Sequence, residues 1–560
     1  MMKCGLSGWL LTVLSVVALG GGVLTRAQAQ SAPPALEAYS ASPAVEMMEL
    51  SPSGDLLALI AVVGETRAIA VTNITTGELV FKATVGEVKV RDLRWIGEGR
   101  VLVITSQSRS IPALGVPLSE LYFGQIVDLE KKRLVQVLDR TPDVLAVLYG
   151  QPSIRRTESG EALFARGVNL ATGQINLHQI DLNTGRGRVV KIMTRETADY
   201  VLDSQGEVIA MSRYIERSGR WTLMLPRGRG FYEAWSVDAP VDAPALFGMG
   251  RTPRTIIVGA DRPDLADQDP DGATPAVMFE VNVDTGGWTR LPFEHHPDSL
   301  IHHSASRLLL GAAREADDGT RYEFLEPEAA RRWRAIERAF AGKAPRLASW
   351  NDDQTLALVF TDKDESGLYQ LVNFDRGVAE ILAQPYPDIP PDQVGAVRQV
   401  RYAAADGLEI PGYLTLPPGV QTPENLPLIV LAHGGPASRD VAGFDWWAQA
   451  LASRGYAVLQ ANFRGSDGYT RAFLEAGYGE WGRKMQTDLS DGVRWLIHGR
   501  DDTVVAIEQS RVMAEAMRRA GKPVELIELE GEDHWLSRAD TRRRMLRETV
   551  RFLEANNPPR

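Results

Sequence analysis

The sequence predicts two architectures in succession, a seven-bladed β-propeller over residues 35–384 and, after a linker at 385–398, a doubly wound α/β domain over 399–560. Between Ala35 and Leu382 a small antiparallel pattern recurs: an alternating apolar strand, a turn of the form Asn/Asp-x-x-x-Gly, and another strand. Pro385-Tyr-Pro-Asp-Ile-Pro-Pro391 then interrupts any strand ladder, because proline has no N–H to donate. Beyond it strands and helices alternate, the rhythm of βαβ units.

The turns that define the repeat are Asn73-Ile-Thr-Thr-Gly77, Asp181-Leu-Asn-Thr-Gly185, Asn282-Val-Asp-Thr-Gly286 and Asn373-Phe-Asp-Arg-Gly377, with weaker equivalents near Asp128, Pro226 and Glu326. Their starts lie 44 to 56 residues apart. That period suits one four-stranded blade per unit and is too long for a leucine-rich or ankyrin repeat. A second element precedes the inner strands: Ser51-Pro-Ser-Gly54-Asp55, Trp95-Ile-Gly-Glu-Gly99, Asp203-Ser-Gln-Gly206 and Trp350-Asn-Asp-Asp353. A pair of β-sandwiches is the competing all-β arrangement, and it would not require a fixed period. Glu326 to Phe340, rich in Ala, Arg and Glu, reads as a helical insertion on the last-but-one blade.

Met1 to Ala29 divide into a basic start with Lys3, an apolar run from Trp9 to Leu24 and Ala27-Gln28-Ala29, the layout of a signal peptide cleaved after Ala29. An uncleaved N-terminal anchor is the alternative. Cleavage removes Cys4, the only cysteine, and with Lys3 and Arg26 gone the formal charge moves from -11 to about -13. Disulfides and thiolate chemistry are thereby excluded, and an acidic chain offers nothing to nucleic acid. No later stretch approaches a membrane span, so the mature protein is expected outside the inner membrane, periplasmic or secreted.

Two clusters in the first part invite metal sites. His295, His296, His302 and His303 are half of the chain's histidines, but adjacent residues on a strand point to opposite faces. Asp267, Asp269, Asp271 and Gly272 imitate a calcium loop, yet Pro270 interrupts it and Met278 stands where a bidentate Glu belongs. Blade residues and a solvated hairpin tip are the readings adopted, with no metal and no cofactor.

In the C-terminal part, Glu409 to Leu416, Leu428 to Ala432 and Tyr456 to Ala461 read as strands and Trp446 to Arg454 as a helix. His433-Gly434-Gly435-Pro436 follows a buried strand, then come Asn462-Phe463-Arg464-Gly465-Ser466-x-Gly468-Tyr469 and Gly479-Glu480-Trp481-Gly482. These motifs resemble the prolyl oligopeptidase family, in particular its acylaminoacyl-peptidase and dipeptidyl-peptidase branches. The resemblance implies an α/β-hydrolase domain, short peptides as substrates, and an oxyanion donor at Gly435, with Gly434 beside it. A glycine pair lets backbone N–H groups approach a developing negative charge unobstructed, although a plain turn would use the same residues. By the same resemblance, His498-Gly499-Arg500-Asp501-Asp502-Thr503-Val504-Val505 matches the acid loop and Glu530-Gly531-Glu532-Asp533-His534 the histidine loop. Asp502 is then the triad acid, with Asp501 its rival, and His534 the general base. His498 reads as a structural residue at a strand end.

The nucleophile is what the sequence lacks. A hydrolase serine needs a Gly-x-Ser-x-Gly elbow, and no such pentapeptide occurs; Ser466 is preceded two back by Arg464 and Ser490 by Asp488. Only 67 residues separate Gly435 from Asp502. A strand–helix unit takes about 30 residues, so the three further strands the family places there cannot fit. The sequence therefore implies a hydrolase domain with an internal deletion, its seam near Leu496 and Ile497, where an expected helix from Lys484 to Leu496 runs into Ile497-His498-Gly499. The expected closure pairs Val524 to Leu529 beside Leu428 to Ala432. By resemblance the function is that of a serine peptidase acting on short peptides, inactive for want of a nucleophile; the alternative is a non-catalytic peptide- or protein-binding propeller protein.

Overall fold

The computed structural model describes residues 32–112, 115–262, 264–265, 277–435, 437–489, 495–519, 521 and 524–559. The signal-peptide residues with Cys4, the run Asp267-Asp269-Asp271-Gly272, and Ser490 lie outside the described residues.

Among the described residues seven antiparallel sheets follow one another, spanning 45–86, 89–136, 153–191, 197–238, 245–290, 299–324 and 346–383. In each, strands adjacent in sequence are adjacent in space; six sheets have four strands and the sixth has three. The recurring turns join third strands to fourth. Asn73 Oδ1 accepts the N–H groups of Thr75 and Thr76, Asp181 those of Asn183 and Thr184, and Asn282 those of Asp284 and Thr285. Asn169-Leu-Ala-Thr-Gly173 makes the same turn between the second and third strands of the third sheet, a position the expected pattern omits.

Middle strands such as Thr255–Ala260 and Arg100–Ile111 are buried at successive positions, so each sheet presents two apolar faces, and each face is buried against a neighbour. Val71 and Phe81 of the first sheet pack with Val90 and Trp95 of the second, and the series continues through Trp221 with Ile256 between the fourth and fifth. The seventh returns to the first: Leu358 and Leu371 bury against Val45 and Leu57, and Leu50 N–H donates to Ser349 Oγ at 3.2 Å. Where the sixth sheet lacks a fourth strand, the helix Pro327–Ala339 packs instead, with Trp333 4.1 Å from the Tyr322 ring. Glu326 caps this helix through the N–H groups of Glu328 and Ala329, at the place where the helical insertion was expected. His302 and His303, suspected as ligands, bond the backbone carbonyls of Met249 and Asp352.

The C-terminal part holds two sheets. Val397–Ala403, Glu409–Thr415, Ala457–Ala461 and Leu428–Leu431 form one, in that spatial order, with Leu428–Leu431 parallel to Ala457–Ala461 at its edge. Trp495–Gly499 and Glu525–Leu529 form a separate parallel pair. This corrects two expectations. The described helix spans Lys484–Leu489, and Trp495 and Leu496, expected at its end, lie instead in the strand that pairs with Glu525 and Leu526. The sheet does not close: Glu525–Leu529 pairs with the strand that precedes it through the helix Glu508–Arg519, a local parallel crossover, and not with Leu428–Leu431. Helices Trp446–Ala452 and Ala539–Asn556 bridge the two sheets, burying Ile497 and Ile527 with Ala450 and Met545 on one side and Ile429 with Ala448 and Val550 on the other.

The two parts are joined by ions. Lys89 Nζ, on the first strand of the second sheet, lies 2.7 Å from Asp533 and 3.1 Å from Glu120. Arg91 reaches Glu120 at 2.9 Å and covers the Trp535 ring at 4.5 Å. Burial pushes the Asp533 carboxyl up, but the hydrogen bond and charge of Lys89 outweigh it and hold it below the usual carboxylate range. The clamp is therefore complete above about pH 4, the unfolded carboxylate value, and is lost as pH falls through the lower folded value. Arg439 with Asp298 at 2.6 Å and Arg401 with Asp317 at 3.0 Å add further ties.

Two outcomes follow. The edge Leu428–Leu431 leaves Leu428 50% and Val430 38% exposed, a template for strand pairing between chains, so Val430→Lys should shift sedimentation-velocity profiles toward the monomer. Lys89→Met removes the nearer cation from buried Asp533 and leaves only Arg91 at 3.6 Å, which should lower hydrogen-exchange protection of 531–537 by at least about tenfold while the sheets keep theirs.

Candidate active site

Asp502 stands in the loop after Trp495–Gly499 and His534 in the loop after Glu525–Leu529, so the parallel pairing of these strands brings both loops to the same, carboxyl end of the sheet. His534 Nδ1 meets Asp502 Oδ2 at 2.8 Å, and Asp502 Oδ1 accepts the N–H groups of Val504 and Val505, each at 2.8 Å. The carboxylate is 5% exposed and the imidazole 23%. Two backbone donors thus aim the carboxylate, and the carboxylate fixes the imidazole proton on Nδ1, leaving Nε2 as an acceptor. Asp501, the rival acid, does not meet the ring; it lines a 190 Å³ cleft with Glu65, Arg67 and Lys89. His498 lies behind the pair, bonding Ser510 Oγ at 2.7 Å and Val505 O at 2.8 Å, with Nε2 3.3 Å from Asp502 Oδ2.

The Gly434-Gly435 turn lies directly against His534. A Cβ on Gly434 would sit 3.0 Å from both Cε1 and Nε2 of the ring, and Gly435 has φ +132°, so neither position accommodates a side chain without strain. The edge of His534 that would receive a nucleophile's proton faces the Gly434 backbone. Among the described residues no hydroxyl bonds Nε2. The turn itself is fixed by a second histidine, which the sequence reading passed over: His433 stacks on Phe463 at 4.6 Å and meets Ser466 Oγ at 2.9 Å. Ser466 is fully buried and its hydroxyl also lies 2.6 Å from Phe463 O, so this serine–histidine contact clasps two loops and exposes no nucleophile. Burial lowers the His433 pKa, keeping the imidazole neutral.

The region just before the inferred seam is held by Arg464, which bridges Asp406 at 2.8 Å and the fully buried carboxylate of Asp488, also at 2.8 Å. The Lys89–Asp533 and Arg91–Trp535 contacts set the position of the His534 loop from the other part of the chain. No sequence signal announced them, since Lys89 and Asp533 belong to different repeating patterns. What these groups can do together is accept a proton at His534 Nε2 with Asp502 compensating the charge, beside backbone donors at the glycine turn.

Residues 442–498 and 495–557 match the prolyl oligopeptidase family in two pieces that meet at 495–498. The chain is 25% identical over 342 residues to dipeptidyl aminopeptidase BIII of Pseudoxanthomonas mexicana, covering 58% of this chain and 47% of that one. It is 33% identical over 166 residues to dipeptidyl peptidase family member 6 of Caenorhabditis elegans, covering 26% and 22%. The matched stretches thus span less than half the length of these relatives. Puromycin hydrolase superposes with a TM-score of 0.63 at 16% identity over 94% of this chain and 96% of that one. That likeness shows the fold, a β-propeller with an α/β-hydrolase domain. With its motifs at the carboxyl ends of the strands, the C-terminal part of the chain matches the prolyl oligopeptidase family across residues 442–557.

Proposed function

We propose that this protein is an exported relative of the family's peptidases that engages short peptides and does not hydrolyse them. The observation that carries this reading is the Nε2 edge of His534, which faces Gly434 in a chain without a Gly-x-Ser-x-Gly pentapeptide. Acyl transfer needs a nucleophile, a base oriented by a third group, and oxyanion donors. Asp502 and His534 serve as acid and base here, and Gly435 with Gly434 as oxyanion donors. The first role is vacant.

An internal deletion with its seam near Leu496 and Ile497 accounts for the vacancy. The family match breaks into two pieces that meet at 495–498. Among the described residues the strands Leu428–Leu431 and Trp495–Gly499 each pair on one side only, as they would if the strands between them had been removed. In this reading residues 1–29 are a signal peptide, 35–384 a closed ring of seven blades, and 385–398 a linker. The hydrolase domain fills 399–560. Non-catalytic binding is favoured over a misfolded remnant by the apolar cores between successive sheets, which are continuous from the first sheet to the seventh and back.

The test is turnover. The purified chain should hydrolyse aminoacyl- and dipeptidyl-p-nitroanilides no faster than buffer, and His534→Ala should change nothing. Inserting an elbow-bearing segment between Leu496 and Ile497 should restore hydrolysis that requires both Asp502 and His534. Turnover by the unaltered chain that His534→Ala abolishes would falsify the proposal.

A further inference from the structure

A cavity of about 350 Å³ lies where the first strands of the sheets converge, remote from the His534 loop. Glu49, Arg94, Arg155, Asp199, Leu246 and Trp350 each contribute from a different sheet, and Arg307 enters from the loop after the sixth sheet's first strand. Glu49, Arg94 and Trp350 stand toward the ends of their first strands and Arg307 beyond one, Arg155 in the middle of its strand, and Asp199 and Leu246 nearer the starts of theirs. Contacts to the hydrolase domain come from the opposite side, from Lys89 and Arg91 near the start of such a strand and from Asp298 just before one. The cavity's mouth is bridged by Arg156 and Asp352, paired at 2.6 Å between the third and seventh sheets.

Four arginines and four carboxyl groups line this cavity, but they are not all paired with one another. Arg94 pairs with Asp92, and Glu161 and Asp352 are both engaged by Arg156. Arg155 donates only to carbonyls, those of Ile154, Leu202 and Asp203. The Arg307 side chain has no ion pair or hydrogen bond among the described residues. Asp199, the remaining lining carboxylate, accepts the Tyr200 N–H and faces Arg166, and burial pushes its carboxyl up, so neither Arg155 nor Arg307 has an ion pair among the described residues. Guanidinium groups taken out of bulk water seek an oxyanion, and their planar fork matches a carboxylate. We propose that this cavity binds a small carboxylate, such as the C-terminal carboxylate of a dipeptide, on Arg307 and Arg155. This site is separate from the His534 region and does not depend on the absence of catalysis.

Glu49 gives the site a recognisable pH response. Burial pushes its carboxyl up to about 8, against the hydrogen bond from Ser349; Asp92 adds to the rise, and Arg94 and Arg307 oppose it. At neutral pH Glu49 is uncharged and leaves Arg307 free for a ligand. Above about pH 8 it ionises beside Arg307 and competes with the incoming carboxylate.

Calorimetric titration of the full mature chain with L-alanyl-L-alanine, its C-terminal amide and succinate tests the proposal. The dipeptide acid should bind at least about tenfold more tightly than the amide. Arg307→Met should weaken acid binding by a similar factor, and Arg307→Lys should retain most of it. Raising the pH from about 7 to about 9 should weaken binding by the unaltered chain several-fold but not by Glu49→Gln. Succinate binding as well would assign any small carboxylate to the site, and dipeptide binding alone would assign a peptide terminus; both support it. Failure of both acids to bind, equal binding of acid and amide, or affinity unchanged in Arg307→Met would overturn it. Should Arg307→Met fail to fold, the comparison of acid with amide on the unaltered chain still decides.

Discussion

The parallel pairing of Trp495–Gly499 with Glu525–Leu529 is the constraint on which the hydrolase corner depends. It sets the Asp502 and His534 loops side by side, and with Ile497, Ile527 and Leu529 it supplies the apolar face that helices Trp446–Ala452 and Ala539–Asn556 cover. Those helices are shared with the four-stranded sheet, so the two sheets are held by a common apolar layer even though no backbone ladder joins them. Burial of each large aliphatic side chain in such a layer contributes roughly 1.5–3 kcal/mol. A handful of them outweighs the cost of the unpaired backbone groups at two short, water-accessible strand edges. The hydrolase part thus holds Asp502 and His534 in contact without a continuous sheet beneath them among the described residues.

The repeating part is held differently. Each sheet buries both faces against neighbours, so the arrangement needs no single central core, and its backbone ladders stay within the sheets. Its contribution to the candidate site comes through charge. Lys89, between Glu120 and Asp533, places the His534 loop from a strand more than four hundred residues earlier in the chain, and Arg91 presses on Trp535 from the same strand. An alteration in the second sheet can therefore move the base without touching the hydrolase domain.

The turns were legible in the sequence because their chemistry is local. Asn or Asp accepts N–H groups two and three residues on, and the closing glycines Gly77, Gly185, Gly286 and Gly377 all have positive φ, between 64° and 75°. Asp502 and His534 were legible through the resemblance of their loops to those of the prolyl oligopeptidase family, and the structure places them in contact. The strand at Trp495 was misread because a short apolar run after a helical stretch has no period that distinguishes a continued helix from a new strand. The pairing of Glu525–Leu529 was misassigned for a related reason: which neighbour a strand chooses depends on the crossover that reaches it, and the helix Glu508–Arg519 favours the preceding strand. The Lys89–Asp533 clamp and the burial of Arg307 without an ion pair among the described residues are long-range products of the fold, and neither leaves a pattern in adjacent residues.

The account turns on whether any hydroxyl in this chain can be activated by His534. Ser466 is clasped by His433 and sealed from solvent, and the Nε2 edge of His534 faces Gly434, where a Cβ would come within 3.0 Å of it. Intact-mass spectrometry of the mature chain after incubation with excess fluorophosphonate measures this directly. The account predicts an unchanged mass; a single stoichiometric adduct on any serine, lost in His534→Ala, would contradict it.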